Sequence, residues 1–399
     1  MLSTEGPRTH SWAPLIGFAV IMIDGYDTLM LSFMAPLVAK EWSLGASTMG
    51  LIFAVSYAGA AIGATSIGIL SDRFGRKFML LISLLIAGVL TILSAWARDP
   101  VQLMMLRGCA GFGLGGAIPT MAALTAERVH PKARNGAVTR MFLGYPIGAI
   151  VGGAITAWVM IRVGWRGVLI GGGLCAILML IPVAFGISDD HRSEVASGAG
   201  TRFQPLIRLV SDGRARTTVL YCSAVFLMLL TSYFLISWTP ALLTLHGMNP
   251  QRAAVAGVLL NVGGVAGALG LSFIAGRKSP VLALTVALTA GAILVVLFGR
   301  VSALAGSAAM ASVFTIGALL IGAQISVPAL AVHLYPPSIY ATGVGVPMAI
   351  GRIGSIAGPL IGGYLVAIQL GWNYLFLLAA IPPAIAALAM SLLPARGMQ

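Results

Sequence analysis

The chain has 399 residues, of which 58% are hydrophobic and only 9% are charged, and its formal net charge is +13. About a quarter of the residues of a typical soluble domain are charged, so this composition excludes a soluble globular protein and indicates many membrane crossings. A charge of +13 would by itself allow nucleic-acid binding, but the distribution of the basic residues argues against it.

Apolar stretches of about 20 residues, long enough to span a bilayer, recur along the chain. We predict twelve membrane helices, over residues 14–37, 48–70, 78–97, 101–126, 137–160, 167–187, 217–243, 253–274, 280–299, 303–332, 343–368 and 373–394. With both termini in the cytoplasm, only 6 of the 24 Lys and Arg residues fall in outer loops. An excess of basic residues on the cytoplasmic side sets the orientation of membrane proteins. We therefore interpret the positive net charge as a sign of topology and of attraction to anionic lipid, not of a DNA-binding face.

The first predicted helix contains "DGYD", in which Asp24 and Asp27 lie three residues apart and therefore on one face. Ionised side chains inside a bilayer are costly and mark functional candidates. After Asp212 the sequence has no Asp or Glu, so a proton-carrying carboxylate must lie in the first half. We expect Asp27, supported by Asp24, to carry the proton. A structural ion pair between helices is the alternative.

The segment "GILSDRFGRK", residues 68–77, connects the second and third predicted helices. Asp72 can meet the positive end of a neighbouring helix dipole, and Arg73, Arg76 and Lys77 supply positive charge. We expect this loop to gate the cytoplasmic face, with a pure topology signal as the alternative. The second half has a weaker echo, "SFIAGRK", which favours two six-helix halves related as a repeat.

Two arginines lie inside predicted helices at depths that match the acids, Arg107 in the fourth and Arg352 in the eleventh. A guanidinium binds a carboxylate through two parallel hydrogen bonds, so each can be an internal counter-ion or can bind an anionic substrate. Snorkelling to the headgroups is the alternative for Arg107. The depth match favours Asp27 as the partner of Arg107.

Aromatic and polar side chains complete the candidate substrate site. They are Tyr26, Tyr57, Tyr145, Phe234, Trp238 and Gln324. A largely apolar slot with a few hydrogen-bonding groups is typical of small-molecule sites. Packing or an interfacial belt is the alternative for each aromatic residue. His333, near the inner end of the tenth helix, is a second titrating candidate, with a structural role as its alternative.

Glycines spaced four residues apart recur in several helices. Examples are Gly59 and Gly63; Gly144, Gly148 and Gly152; Gly263 and Gly267; and Gly354, Gly358 and Gly362. Such spacing lets helix backbones approach closely in lipid. We expect contacts that hold the bundles together and that also allow helices to slide or rock.

The remaining chemistry-bearing residue types suggest neither a cofactor nor an enzyme. Cys109, Cys175 and Cys222 all fall inside predicted helices, without metal-ligand spacing or a disulfide pattern. The sequence shows no His/Cys/Ser constellation and no nucleotide-binding loop. We therefore expect no metal, no cofactor and no enzymatic activity, with a proton gradient as the energy source.

Motifs over nearly the whole chain resemble those of a known transporter family. "GILSDRFGRK", "RGCAGFGLGG" (107–116) and "GYPIGAIVGG" (144–153) resemble the major facilitator superfamily. "DGYD", "GFGLGGAIPTMAALTAE", "YFLISWTPALL", "GAQ", "LYPPSIYATGVG" and "GRIGSIAGP" resemble its aromatic acid:proton symporter family more specifically.

The resemblance implies an all-α membrane protein with the major facilitator fold, in two pseudo-symmetric six-helix bundles. We place these bundles at residues 1–187 and 217–399, joined by a cytoplasmic linker over 188–216. The family imports benzoates, hydroxybenzoates and related acids with protons across the bacterial inner membrane. We expect alternating access around a cavity lined by helices one, four, seven and ten, in a monomer with both termini cytoplasmic.

The same resemblance assigns residues to roles. Asp24 and Asp27 are similar to the family's helix 1 aspartates, and Arg107 and Arg352 to its helix 4 and helix 11 arginines. The expected gating residues are Asp72, Arg73, Gly75, Arg76, Glu127 and Arg134.

The sequence departs from the family at two cytoplasmic positions. The second-half loop has no acid, and Tyr340 stands where the family has an arginine. Because the acid and the arginine are both missing, neither is left as an unpaired charge. We therefore expect residues of the first half to hold most of the inner gate closed. An efflux pump of the same fold and an importer of a non-aromatic organic anion remain as alternatives. A membrane-embedded enzyme and a transport-dead sensor have no sequence feature in their favour.

Overall fold

The computed structural model describes residues 12–130, 134–187, 208–211, 213–275, 279–300, 307–336 and 339–394. Within them, twelve helices are long and apolar enough to cross a membrane, and there is no strand. In chain order, α1 to α12 are Ala13–Glu41, Ala46–Phe74, Arg76–Ser94, Pro100–Glu127, Gly136–Met160, Arg162–Gly186, Ala215–Leu245, Pro250–Ile274, Pro280–Arg300, Ser307–Leu330, Thr342–Ala367 and Trp372–Ser391. The predicted all-helical class with twelve spans is confirmed.

Some of these spans contain breaks in regular helical hydrogen bonding. Through α5 and α6 the helical segments are Arg134–Phe142, Gly144–Leu178 and Leu180–Gly186, and Gly164 turns the chain with a φ of 67°. Through α10 they are Ser307–Ile316, a π-helical turn Gly317–Ile321, Gly322–Ser326 and a 3-10 turn Val327–Leu330. Such π turns often mark functional sites, and Gln324 lies three residues after this one.

Contacts divide the chain into two compact units. The first lies within Met1–Val38 and Val55–Ala196, and the second within Ala39–Ala54 and Ser197–Gln399. The predicted division into bundles at 1–187 and 217–399 stays a prediction, because residues 188–207 of the expected linker lie outside the described part.

Glycines bring helix backbones into direct contact in the first unit. A Cβ added at Gly148 on α5 would fall on the carbonyl oxygen of Met22 on α1. A Cβ at Gly63 on α2 would fall on that of Phe112 on α4. The first helix of this unit therefore packs on the fifth, and the second on the fourth, at distances that only glycine permits.

The second unit repeats this arrangement. A Cβ added at Gly358 on α11 would fall on the carbonyl oxygen of Leu230 on α7. One at Gly267 on α8 would fall on that of Ala318 on α10. The close approach predicted from glycine spacing is therefore present, and it joins equivalent helix pairs in each unit, as expected of an internal repeat.

The segment predicted as a loop over 68–77 is mostly helical. α2 continues to Phe74 and α3 begins at Arg76, so Gly75 alone connects them. Gly75 has a φ of 98°, a conformation that residues with a Cβ avoid. A single glycine thus reverses the chain, and the neighbouring charges project from helix ends.

Candidate functional site

Asp27 on α1 and Arg107 on α4 form a bidentate ion pair inside the first unit. Arg107 Nη1 donates to Asp27 Oδ1 at 3.0 Å, and Nη2 donates to Oδ2 at 2.5 Å. Nη1 also donates to Thr91 Oγ1 on α3 at 3.2 Å. Arg107 is 1% exposed and Asp27 is half-buried, so the pair is largely shielded from solvent. The expected pairing of Asp27 with an arginine is present.

Small residues around Arg107 allow α4 to lie against its neighbours. A Cβ at Gly108 would meet the Val55 side chain, and one at Gly111 would fall on the Ser56 carbonyl oxygen. This close packing excludes bulk water from the guanidinium. Coulomb attraction is stronger in such low-dielectric surroundings, and the pair is correspondingly costly to break.

A polar cavity of about 30 Å³ lies beside the ion pair, with room for about two water molecules. Its lining residues are Asp24, Asp27, Thr28, Leu31, Ser56, Tyr57, Ala60, Arg107, Gly111 and Leu114. Both acids of the "DGYD" motif therefore face one small space, as their i,i+3 spacing predicts. Asp24 is the more buried of the two residues, at 7% exposure.

The guanidinium of Arg107 does not use all of its N–H donors within the described part of the chain. Its Nε is buried and has no hydrogen-bond partner among the described residues. A buried donor without a partner is energetically unfavourable, so this position favours uptake of an acceptor, either a water oxygen or a substrate oxygen.

The three candidate tyrosines of the first unit have different surroundings. The Tyr26 hydroxyl accepts a hydrogen bond from Thr156 Oγ1 at 3.4 Å, which ties α1 to α5 next to Asp27. Tyr57 lines the polar cavity. Tyr145 instead packs against the apolar cluster formed by α1, α3, α4, α5 and α6 and is absent from the cavity lining.

In the second unit, the α7 aromatics pack closely against other helices. Phe234 and Trp238 are buried, and Trp238 Nε1 donates to the Pro359 carbonyl oxygen of α11 at 3.0 Å. Phe53 meets the Trp238 ring edge-on, with ring centroids 5.9 Å apart. Gln324 on α10 is half-buried.

Arg352 differs from Arg107 in having no internal counter-ion among the described residues. It is half-buried on α11, and its guanidinium forms no ion pair or hydrogen bond with the described residues. Its backbone carbonyl accepts a hydrogen bond from Ser355 Oγ at 2.7 Å. An unpaired cation within a membrane span is a candidate anion-binding group.

The expected gating residues of the first unit meet at Arg76. Its guanidinium contacts Glu127, at the end of α4, at 2.7 Å and Asp72, at the end of α2, at 3.4 Å. Arg73 lies over the Phe74 ring, 5.5 Å from its centroid. Arg134 begins a helical segment, but its side chain lies outside the described residues.

Sequence reasoning missed a hydroxyl network in the second unit, near the start of α7 and the end of α10. Tyr221 donates to the Val327 carbonyl oxygen at 2.9 Å, and Tyr335 donates to Thr218 Oγ1 at 3.1 Å. Thr218 in turn donates to the Leu209 carbonyl oxygen at 2.6 Å. Burial raises the pKa of Tyr335, so its hydroxyl stays neutral at physiological pH. No charge pattern in the sequence marks these residues.

The sequence matches the Major Facilitator Superfamily over residues 17–358. The chain belongs to this superfamily. It is 32% identical to the gallate transporter of Pseudomonas putida, over 96% of this chain and 91% of that relative. It is 33% identical to the 3-(3-hydroxy-phenyl)propionate transporter of Escherichia coli K12, over 99% and 98% of the two chains. These superfamily relatives are transporters, as the sequence predicts, and not enzymes.

The fold is similar to that of solved transporters. A bacterial homologue of the human lysosomal transporter Spinster, crystallised in an inward-facing and occupied conformation, superimposes with a TM-score of 0.80. The two sequences are 18% identical, and the match covers 97% of each chain. The predicted major facilitator fold is therefore confirmed, and the protein is a multi-pass membrane protein.

Proposed function

We propose that this protein imports a small aromatic carboxylate together with protons across the bacterial inner membrane. The named substrates of both relatives combine an aromatic ring with a carboxylate, which supports this substrate class. The observation that carries the coupling is the buried Asp27–Arg107 pair beside a polar cavity. The chain has no acidic residue after Asp212, which leaves the first half to supply a carboxylate for protons.

Charge balance at this pair suggests how the two fluxes are coupled. Deprotonated Asp27 neutralises Arg107 and accepts both of its terminal hydrogen bonds. Protonation removes the negative charge and leaves a buried guanidinium without a counter-ion, a costly state. An incoming substrate anion restores neutrality, so binding of a proton favours binding of a carboxylate.

Arg352 is the first anchor that we propose for the substrate carboxylate. Arg107 is occupied by Asp27 until a proton arrives, whereas the guanidinium of Arg352 is unpaired among the described residues. A bidentate guanidinium–carboxylate contact fits this role. We assign Tyr26 and Tyr57, which lie beside the ion pair, to contacts with the ring, and the Arg76 bridge between Asp72 and Glu127 to the inner gate.

The transport mode follows from these assignments. Substrate and proton bind from the outside, and the carrier alternates between outward-open and inward-open states as a monomer with both termini in the cytoplasm. Neutralised Asp27 and a bound anion together permit the change of state, because neither leaves an isolated charge within the membrane.

Proteoliposomes that contain the purified protein test the proposal. We expect radiolabelled 4-hydroxybenzoate to accumulate when the outside is made acidic, and succinate, an aliphatic acid, not to accumulate. Asp27→Asn should abolish gradient-driven accumulation while substrate exchange across the membrane persists, since exchange needs no net proton movement. Asp24→Asn is the matched control on the same helix face, with a smaller loss.

Two outcomes would contradict the proposal. Accumulation that survives Asp27→Asn combined with Asp24→Asn would exclude these acids as proton carriers. Extrusion of cationic dyes by cells that express the protein, without uptake of any aromatic acid, would instead indicate an efflux pump.

A further inference from the structure

Arg107 donates to a second side chain besides Asp27, the hydroxyl group of Thr91 on α3. The Nη1 nitrogen lies 3.2 Å from Thr91 Oγ1 and 3.0 Å from Asp27 Oδ1. Thr91 is 3% exposed and Arg107 is 1% exposed, so bulk water does not compete for this hydrogen bond. Two acceptors on different helices therefore hold the guanidinium, a carboxylate on α1 and a neutral hydroxyl on α3.

The hydroxyl of Thr91 differs from that of other helical threonines in its hydrogen bonding. Thr28, Thr65 and Thr120 each donate to the carbonyl oxygen four residues earlier in their own helix. This is the usual bond of a threonine within a helix. Thr91 makes no such bond within the described part of the chain, and its oxygen accepts from Arg107 instead. The side chain therefore serves a contact between helices.

Glycine contacts pack α3 tightly against both α4 and α6. A Cβ added at Gly113 on α4 would lie 2.7 Å from the Ser83 carbonyl oxygen of α3. A Cβ added at Gly173 on α6 would lie 2.5 Å from the Gly88 carbonyl oxygen, also on α3. Thr91 lies within one helical turn of Gly88. Its hydroxyl is thus presented from a helix that is packed closely on the helix of the guanidinium.

We propose that Thr91 is a positioning residue that holds Arg107 in place while Asp27 changes its protonation state. The assignment rests on the proposed function, in which a proton on Asp27 weakens the contact between the two charged side chains. At that step the carboxyl group becomes a poorer acceptor, whereas the hydroxyl of Thr91 is neutral throughout and keeps its hydrogen bond. The guanidinium then stays in the position in which it can receive the substrate carboxylate.

The contribution of Thr91 to stability therefore depends on the charge of Asp27. An ionised Asp27 orients the guanidinium through two charge-assisted hydrogen bonds, and the hydroxyl adds little to them. When Asp27 is neutral, the hydroxyl becomes a main acceptor, and its loss leaves a buried N–H group without a partner. A double-mutant cycle measures such coupling between two side chains that share a partner.

A cycle on unfolding in detergent tests the assignment without reference to any substrate. Thr91→Val keeps the β-branched shape and removes the hydroxyl, and Asp27→Asn imitates the neutral carboxyl group. We expect Thr91→Val to lower the unfolding midpoint about twice as much in the Asp27→Asn background as in the wild type. Thr120→Val is the matched control, because this buried threonine donates to Gly116 of its own helix. Its effect should be equal in the two backgrounds.

Substrate exchange in proteoliposomes gives a second readout, which a purely structural role of Thr91 would leave unchanged. We expect Thr91→Val to raise the KM for 4-hydroxybenzoate about tenfold, with little change in the maximal exchange rate, because a misplaced guanidinium binds the carboxylate less well. Thr91→Ser retains the hydroxyl and should restore most of the wild-type KM and stability. Thr120→Val should leave the KM unchanged.

Three results would overturn the assignment of Thr91. They are equal losses of the unfolding midpoint in the two Asp27 backgrounds, a Thr91→Ser variant that behaves like Thr91→Val, and an unchanged KM in Thr91→Val. A wild-type protein that exchanges no aromatic acid would instead overturn the proposed function. The unfolding cycle would in that case still decide whether Thr91 holds Arg107.

Discussion

The two halves of the molecule use one packing scheme to support different chemistry. Met22 on α1 and Leu230 on α7 make the same close contact, through their carbonyl oxygens, with a glycine of the fifth helix of their own unit. Five residues further along each helix stand Asp27 in the first half and Leu235 in the second. The carboxylate of Asp27, which we propose as the proton carrier, therefore corresponds to an apolar side chain in the second half.

The fourth helices of the two halves differ in the same way, with a charged side chain in the first half and an apolar one at the equivalent position of the second. Phe112 on α4 and Ala318 on α10 make equivalent glycine contacts. Five residues before them stand Arg107 and Val313. Both members of the ion pair thus have apolar counterparts, as expected if neither charge is tolerated inside the membrane without the other.

The surroundings of these positions differ in the same way. Leu235 and Val313 line one small apolar cavity of about 10 Å³, whereas Asp27 and Arg107 line a polar one of about 30 Å³. A cavity that is apolar and this small stays dry. The two halves therefore share their backbone packing, whereas the Asp27–Arg107 ion pair depends on side chains of the first half.

Replacing Arg107 by Val, the residue of the second half, tests this comparison with the largest expected effect. The change leaves the Asp27 charge half-buried without its partner, which costs about 3–5 kcal/mol. The thermal unfolding midpoint in detergent should fall sharply. Asp27→Leu combined with Arg107→Val copies both second-half residues and should restore most of the stability, but not proton-driven transport. An Arg107→Val variant that is as stable as the wild type would contradict the conclusion that the two charges depend on each other.

Arg352→Gln tests whether the second half contributes substrate binding. A charge-assisted hydrogen bond contributes about 1.5–3 kcal/mol, so we expect KM for the aromatic acid to rise about tenfold to a hundredfold. Arg352→Lys keeps the charge but loses the bidentate fork and should fall in between. Arg300→Gln, at the end of α9, is the matched control. An unchanged KM in Arg352→Gln would remove this residue from the site.

Alanine substitutions at equivalent glycines test the shared scaffold. Gly148→Ala and Gly358→Ala each force a Cβ onto a carbonyl oxygen, so both should destabilise by about 1–3 kcal/mol. Gly171→Ala and Gly270→Ala, whose added Cβ would meet nothing within 4 Å, are the controls and should be neutral or slightly stabilising. Unfolding in detergent measures all four. A large effect in one half alone would show that the two contacts are not equivalent.

The ends of the two halves that we predict to be cytoplasmic should differ in how their contribution to stability depends on salt. These are the smallest effects that we expect. Glu127→Gln removes an exposed ion pair worth about 0.2–1 kcal/mol, and the loss should shrink at high salt. Tyr335→Phe removes a buried neutral hydrogen bond worth about 1 kcal/mol, independently of salt. Unfolding midpoints at low and high ionic strength measure both. Equal salt dependence of the two losses would contradict the assignment of one ionic and one hydroxyl-based end.

Much of the fold could be predicted because membrane spans are local properties of sequence. Every backbone group of a membrane helix is satisfied within its own segment, so length and hydrophobicity identify each span without knowledge of its neighbours. The same locality allowed Asp24, Asp27, Arg107 and Arg352 to be recognised, since charges are rare in such segments.

Helix ends and single-residue turns were predicted less well. The motif resemblance places Gly75 in a gating loop, but nothing in the sequence shows that its positive φ lets α2 and α3 continue almost to each other. The hydroxyl network around Tyr335 was missed because neutral donors and acceptors are common in every helix. Their partners depend on which helix faces lie together.

The sequence by itself determined that this is a twelve-span membrane protein with no acid after Asp212 and with two arginines placed within the membrane. Tertiary structure decided the bidentate geometry of the Arg107–Asp27 pair, which the sequence only favoured. It alone decided that Arg352 has no counter-ion among the described residues and that Tyr145 packs in the apolar cluster. The physical reason is that hydrophobic length is counted along one helix. Ion pairing instead depends on how neighbouring helices are rotated and how closely their glycines let them approach.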